Sequence, residues 1–166
     1  KKILHLDVGL PVWHLPPGAK EGIIDSLDQN IHQYTENRGL LELRKYIAED
    51  IKQITGQSYN PETEIIVTVG ASEGVAIAEL AVLGPGDEMI IPQPAWSHYE
   101  TVALMAGAKP VALNLSIENG LQIDPDELKN KITPKTKLIL VNSPSNPTGI
   151  IQSEESLKAI ADLALK

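Results

Sequence analysis

Lys137-Leu138-Ile139-Leu140-Val141 runs directly into Asn142-Ser143-Pro144-Ser145-Asn146-Pro147-Thr148-Gly149. The first five residues read as a short strand. The next eight cannot extend it, because prolines and a glycine break a ladder and favour turns. Ser153 then caps a helix, with Glu154 and Glu155 at its positive end. Strand, loop and helix in that order is the unit from which the rest of the chain can be read.

Moving toward the N-terminus, the same unit recurs. Residues 110–115 predict a strand. Asp124-Pro125-Asp126-Glu127 then opens a helix, with Asp124 as N-cap, Pro125 at the first helical position and Glu127 placed to complete a capping box. Residues 88–91 predict another strand, followed by a loop holding Pro92, Pro94 and Trp96 and a helix over about 98–106. The β-branched run Ile65-Ile66-Val67-Thr68-Val69 predicts a further strand. Gly70-Ala71-Ser72-Glu73-Gly74 follows as a turn, then a small-residue helix over 75–83 and the turn Gly84-Pro85-Gly86-Asp87. Apolar residues at 40, 43, 47, 51 and 54 recur with helical spacing, and Gly56 is placed to end that helix. Residues 1–20 are irregular and marked by Pro11, Pro16 and Pro17. Strands alternating with helices predict an α/β fold with a mostly parallel sheet. Such sheets bind ligands outside the carboxyl ends of their strands. The unusual loops, at Gly70, Pro92 and Asn142, all follow predicted strands.

Composition narrows the chemistry. A chain of 166 residues can bury one core, and 42% of it is apolar. The net charge of −8, without a basic patch, argues against nucleic acid as a partner. An anionic ligand stays possible, since backbone amides can hold phosphate without net positive charge. There is no cysteine, which removes disulfides and thiol catalysis and fits a cytoplasmic protein. No apolar run is long enough to span a membrane, and no signal peptide is expected. The sequon Asn114-Leu115-Ser116 falls in a predicted strand and is read as chance. Both ends read as incomplete: the chain starts Lys1-Lys2, and its last helix reaches no further element.

Each candidate motif has a plain structural reading beside the functional one. Small residues at Gly70, Ala71 and Ser72 let a backbone approach a phosphate, or form a tight turn that binds nothing. Glu73 is an awkward neighbour for a phosphate and is expected to point away. Trp96 beyond a strand end can cover a flat aromatic ligand, or pack in a core. His98, at a helix start, is read as structural. Asn146, between Ser145 and Pro147, offers its amide to a ligand oxygen, or simply makes a turn. Arg38 and Arg44, the only arginines, are read as surface or structural residues. Tyr34, in the loop before the 40–54 helix, would ordinarily be packing.

Taken together and in order, these segments resemble the class I/II, fold type I, pyridoxal-phosphate aminotransferases, of the aspartate aminotransferase kind, over essentially the whole chain. Leu6-Asp7-Val8-Gly9-Leu10-Pro11 resembles the segment whose glycine lies beside the substrate. Tyr34 with Gly39-Leu40 and Leu43-Arg44 resembles the block whose tyrosine reaches the cofactor phosphate of the other subunit. Thr68-Val69-Gly70-Ala71-Ser72-Glu73 is similar to the phosphate-cup turn. Pro94, Trp96 and Tyr99 match the segment whose aromatic residue stacks on the pyridine ring. Asn146 in Asn-Pro-Thr-Gly matches the asparagine that bonds the pyridine 3-oxygen. The resemblance implies pyridoxal 5'-phosphate held by Tyr34, Gly70, Ala71, Ser72, Trp96 and Asn146, with Gly9, Trp96 and Asn146 bordering the substrate. It also implies part of the family's large domain, its parallel sheet flanked by helices on both faces. Residues 1–39 would be an N-terminal arm and the start of a small-domain or dimer-contact region. Residues 40–166 would be an incomplete cofactor-binding domain. By the same resemblance the Gln93–Pro94 and Asn146–Pro147 bonds are expected to be cis.

The family's activity moves an amino group between an amino acid and a 2-oxo acid in a cytoplasmic homodimer, with no nucleic acid or membrane partner. It needs a lysine to carry the cofactor, an acid beside the pyridine nitrogen and an arginine for the substrate carboxylate. The family places all three beyond residue 166. No Schiff-base lysine is therefore expected in this chain, and the chain alone is expected to be inactive. A C–S lyase or a cyclopropane-carboxylate synthase of the same fold stays open, because fold does not fix reaction type. So does a non-catalytic interaction module built on half of the fold. A nucleotide-binding domain is disfavoured by the lack of a P-loop or dinucleotide fingerprint.

Overall fold

A computed structural model describes residues 3, 9 and 11–165. The chain divides into two compact units, Lys1–Ile66 and Val67–Lys166. The expected substrate-bordering segment, residues 6–11, lies outside the described residues apart from Gly9 and Pro11.

The first unit holds α1 (Ala19–Asp28) and α2 (Leu41–Thr55). The helix α2 follows its apolar spacing, and Gly56 ends it at φ +75°. Arg44 is only 3% exposed. Its Nε donates to the Gly39 carbonyl at 3.0 Å, Nη1 to the Pro61 carbonyl at 2.7 Å, and Nη2 pairs with Glu36 at 2.6 Å. Arg44 is thus a structural clamp on the chain before and after α2. The helix α1 was not expected from the sequence. It has no side-chain cap and no buried residue; its sequence signal, the helical spacing of Ile23, Ile24 and Leu27, was passed over.

The second unit is the α/β body. It contains α3 (Gly70–Val82), β1 (Glu88–Gln93), α4 (Ser97–Met105), β2 (Lys109–Asn114), α5 (Pro125–Lys131), β3 (Thr136–Ile139) and α6 (Glu154–Ala164). The three strands form one parallel sheet in the order β2-β1-β3. Successive strand residues face opposite sides. Met89 and Ile91 of β1 accordingly pack with Leu83, Tyr99, Ala103 and Ala108, on the side of α3 and α4. Ile90 packs instead with Leu113, Ile123, Leu128 and Ile160, on the side of α5 and α6. Helices therefore cover both faces of a parallel sheet. This explains why β1 reads as a continuous apolar run rather than an alternating one.

Two local expectations need correction. Residues 65–69 are not a strand: β-branched composition suits a strand, but a ladder needs a neighbour, and none pairs with this segment among the described residues. The segment 70–74 is not a separate turn but the first turn of α3. Gly70 at φ +76° allows the sharp entry that an L side chain resists. The cap of α5 is built by Asp124, whose Oδ1 accepts the amides of Asp126 at 2.8 Å and Glu127 at 3.3 Å. Ser153 caps α6 through the Ser156 amide at 3.1 Å.

Candidate functional site

The carboxyl ends of β1, β2 and β3 open onto one cleft. Pro92, Pro94 and Ala95 line it from the β1 end, Leu115 and Ile123 from the β2 side, and Asn142, Ser145 and Asn146 from the β3 loop, together with Tyr99 and Gln152. This is where a parallel sheet presents ligands.

The loop after β3 is tightly braced. The Asn146 amide donates to Asn142 Oδ1 at 2.7 Å. The Ser145 amide donates to the Ile150 carbonyl at 2.9 Å, and the Gly149 amide to the Ser145 carbonyl at 2.7 Å. Gly149 takes φ +71°. The bonds Gln93–Pro94 and Asn146–Pro147 are cis, as expected, and Ser143–Pro144 is cis as well. Backbone and Asn142 thus hold the loop, while the exposed Asn146 side chain has no hydrogen-bond partner among the described residues. It can spend its amide on a ligand.

The N-terminus of α3 offers a different chemistry. First-turn amides have no partner within their own helix. No side chain caps them here. The Gly70 amide is spent on the Thr68 carbonyl at 2.9 Å; the amides of Ala71 and Ser72 and the exposed Ser72 hydroxyl can receive an anion, which the helix dipole favours. Nothing lies within 4 Å of the point where a Cβ on Gly70 would stand, so a ligand can approach the backbone there. The Glu73 carboxylate is turned back and accepts the Val69 amide.

Trp96 precedes α4 and is half-buried against the Met89–Tyr99 cluster. Its ring meets Tyr99 edge-on at 5.5 Å and 87°. On His98 it stacks at 4.5 Å and 25°. His98 Nε2 in turn lies 3.0 Å from the Ser72 carbonyl. Burial pushes the Tyr99 phenol above its ordinary pKa, and the nearby Glu79 carboxylate adds to the shift. Glu79 itself is 3% exposed with both oxygens unbonded. Burial holds its carboxyl above the usual range, against an opposing pull from His98.

Of the residues singled out from the sequence, Asn146 lines the cleft, and Ser72 and Trp96 are joined through His98. Gly70 and Ala71 share the first turn of α3 with Ser72. Gly9 and the fully exposed Tyr34 belong to the other unit. Sequence reading passed over Asn142, Gln152, Glu79 and the link through His98. Only Glu79 left a local signal, a carboxylate on the stripe Val75, Glu79, Leu83 where spacing calls for an apolar residue. Every lysine among the described residues is exposed, and none lines the cleft. No group of three or more carboxylates and histidines suited to a metal occurs among the described residues, and none of the described helices is long and apolar enough to cross a membrane.

The chain is similar to known proteins over its whole length. The family described as aminotransferase class I and II matches residues 1–166. Aspartate aminotransferase of Pyrococcus abyssi is 38% identical over 166 residues, covering 100% of this chain and 43% of the relative. Aromatic-amino-acid aminotransferase 2 of Thermococcus litoralis is 35% identical over 164 residues, covering 99% of this chain and 42% of the relative. Among solved structures, N-succinyldiaminopimelate aminotransferase of Mycobacterium tuberculosis superposes with a TM-score of 0.91 at 38% identity, over 96% of this chain and 42% of that one. The chain therefore spans somewhat over two-fifths of the length of the relatives it matches.

Proposed function

The chain belongs to the class I and II aminotransferases, and from that premise we propose that it is the N-terminal part of an enzyme moving an amino group between an amino acid and a 2-oxo acid with pyridoxal 5'-phosphate. The observation that carries this reading is the cleft at the carboxyl ends of the sheet, where Asn146 presents a side-chain amide with no partner among the described residues, from a loop that other groups hold in place.

In this reading Gly70, Ala71 and Ser72 form the phosphate site, Gly70 by leaving the backbone open to approach and Ala71 and Ser72 by their amides and a hydroxyl. Trp96 covers the ring, and Asn146 donates to the ring oxygen. Gly9 borders the substrate together with Trp96 and Asn146. Tyr34, fully exposed in its own unit, reaches the phosphate bound by a partner copy in a cytoplasmic homodimer. When bound, the cofactor supplies an electron-withdrawing ring that stabilises negative charge at the substrate α-carbon. The residues of this chain bind and orient; the lysine that carries the cofactor is supplied from outside it.

Reconstituting the full-length protein with pyridoxal phosphate tests the proposal. Visible absorbance from the bound cofactor, lost on adding an amino donor and restored by a 2-oxo acid, is the expected result. Absence of cofactor absorbance after reconstitution overturns it. Turnover of a sulfur-bearing amino acid to pyruvate and ammonia, without amino transfer, would instead assign lyase chemistry to the same site. Turnover by pure 166-residue chain would overturn the placement of the lysine elsewhere.

A further inference from the structure

We propose that His98 is a positioning residue that ties the first turn of α3, at Ser72, to the Trp96 indole, so that phosphate grip and ring contact are set together. The inference rests on the cofactor reading above.

Two contacts hold His98. Its Nε2 is 3.0 Å from the Ser72 carbonyl, a bond between residues 26 apart in sequence. A carbonyl can only accept, so Nε2 carries the hydrogen and donates. Its ring stacks on Trp96 at 4.5 Å. Glu79 of α3 is buried in the stripe that runs Val75, Glu79, Leu83, of which Val75 and Leu83 pack in the same apolar cluster as Trp96 and Tyr99. The Glu79 oxygens have no hydrogen-bond partner among the described residues. The attraction of His98 nevertheless draws the carboxyl down against the effect of burial. A histidine in the first turn of a helix would ordinarily face solvent alone. Here it donates to one predicted ligand-binding element and lies flat on another.

The consequence is mechanical. Ser72 is anchored from the α4 side, so the uncapped first turn of α3 cannot shift without moving the ring on which Trp96 rests. Trp96 is held at its edge by Tyr99 and at its face by His98. A bound group spanning both elements meets a spacing already fixed before it arrives, which lowers the ordering cost of binding.

Substitutions in the full-length protein separate the two contacts. His98→Phe keeps a flat ring and loses the donor; His98→Gln keeps a donor and loses the ring; His98→Ala loses both. Affinity for pyridoxal phosphate should fall about tenfold in His98→Ala and less in the other two, from one hydrogen bond and one aromatic contact. In a Trp13→Phe background Trp96 is the remaining indole of this chain. With any tryptophan outside it also replaced, the near-ultraviolet dichroism of protein without cofactor should weaken in His98→Ala and His98→Gln but persist in His98→Phe. The penalties of Ser72→Ala and Trp96→Phe should be non-additive with His98 present and additive in His98→Ala. If Ser72→Ala and Trp96→Phe weaken binding while all three His98 variants leave affinity and dichroism unchanged, this inference alone is overturned. If Ser72→Ala and Trp96→Phe themselves change nothing, the cofactor reading falls and takes this inference with it.

Discussion

Gln152 accepts the Ile123 amide on Oε1 at 2.8 Å and donates from Nε2 to the Leu121 carbonyl at 3.1 Å. Its own amide donates to Ser143 Oγ at 3.0 Å. Gln122 answers from the other side: Nε2 donates to the Ile151 carbonyl at 3.0 Å, and Oε1 accepts the Ser153 amide at 2.8 Å. The exit of the Asn146 loop is thereby stitched to the entry of α5 by two glutamines working in opposite directions. Ile123 is a core residue, so its amide cannot fall back on solvent.

Gln152→Leu keeps the volume and removes the acceptor. The Ile123 amide is then buried without a partner, which costs about 1–3 kcal/mol. Urea denaturation of the full-length protein should show the loss as a lower midpoint at unchanged slope. An unchanged midpoint would mean that the loop is anchored elsewhere.

Glu79→Leu should do the opposite. Burial raises the folded-state pKa of this carboxyl. Its penalty is therefore absent below the ordinary carboxylate range, grows as pH rises toward the raised folded value, and is complete above it. Replacing it by an apolar residue of similar size should stabilise the fold by about 1–3 kcal/mol at neutral and alkaline pH. The gain should shrink on acidification. Melting temperature against pH checks both the sign and the slope, and a lower alkaline melting temperature in the variant would refute the argument.

Much of the fold was legible because the residues that build it signal locally. Strands β1 and β2 announce themselves by aliphatic runs between turns, α5 and α6 by Asp124 and Ser153 at their caps. The helix α1 has no such cap, and the helical spacing of its Ile23, Ile24 and Leu27 was passed over. The segment 65–69 misled, because composition records a preference and pairing needs a neighbour. The start of α3 at Gly70 was hidden by glycines that disfavour a helix interior yet suit its entry. Within the site, Asn146 and Trp96 were legible through their motif neighbours. Gln152 and His98 were not, since their partners lie 26 to 31 residues away and only folding brings them together.

Glu88 carries a second pH dependence, of opposite sign. Its Oε2 accepts the Thr133 hydroxyl at 2.6 Å and its Oε1 faces Lys109 Nζ at 3.2 Å. These contacts, Thr133 first, hold its carboxyl below the ordinary range. The stabilisation is present above the ordinary carboxylate pKa and is lost as pH falls through the lowered folded value. Thr133→Val removes the leading cause, so the Glu88 titration should move up toward its ordinary position. Carbon-detected NMR of the side-chain carboxyl reads the shift directly, and an unmoved titration would assign the effect to Lys109. Glu88 opens β1, whereas the cleft lies beyond the other end of that strand, so cofactor affinity should not follow the titration.

Asn142 and Asn146 line the same cleft, but only the Asn142 side chain is committed to the loop. Asn142 Oδ1 receives the Asn146 amide at 2.7 Å and so holds the loop's backbone. The Asn146 side chain holds nothing among the described residues. Asn146→Ala should therefore leave the unfolding free energy within about half a kcal/mol of the parent, as a surface substitution does. Affinity for pyridoxal phosphate should fall by roughly tenfold for a lost hydrogen bond to a ligand oxygen. Asn142→Ala should lower both stability and affinity, because it loosens the turn that presents residue 146. If Asn146→Ala destabilised the fold and spared the cofactor, its amide would be structural, and the cleft would need another donor for the ring oxygen.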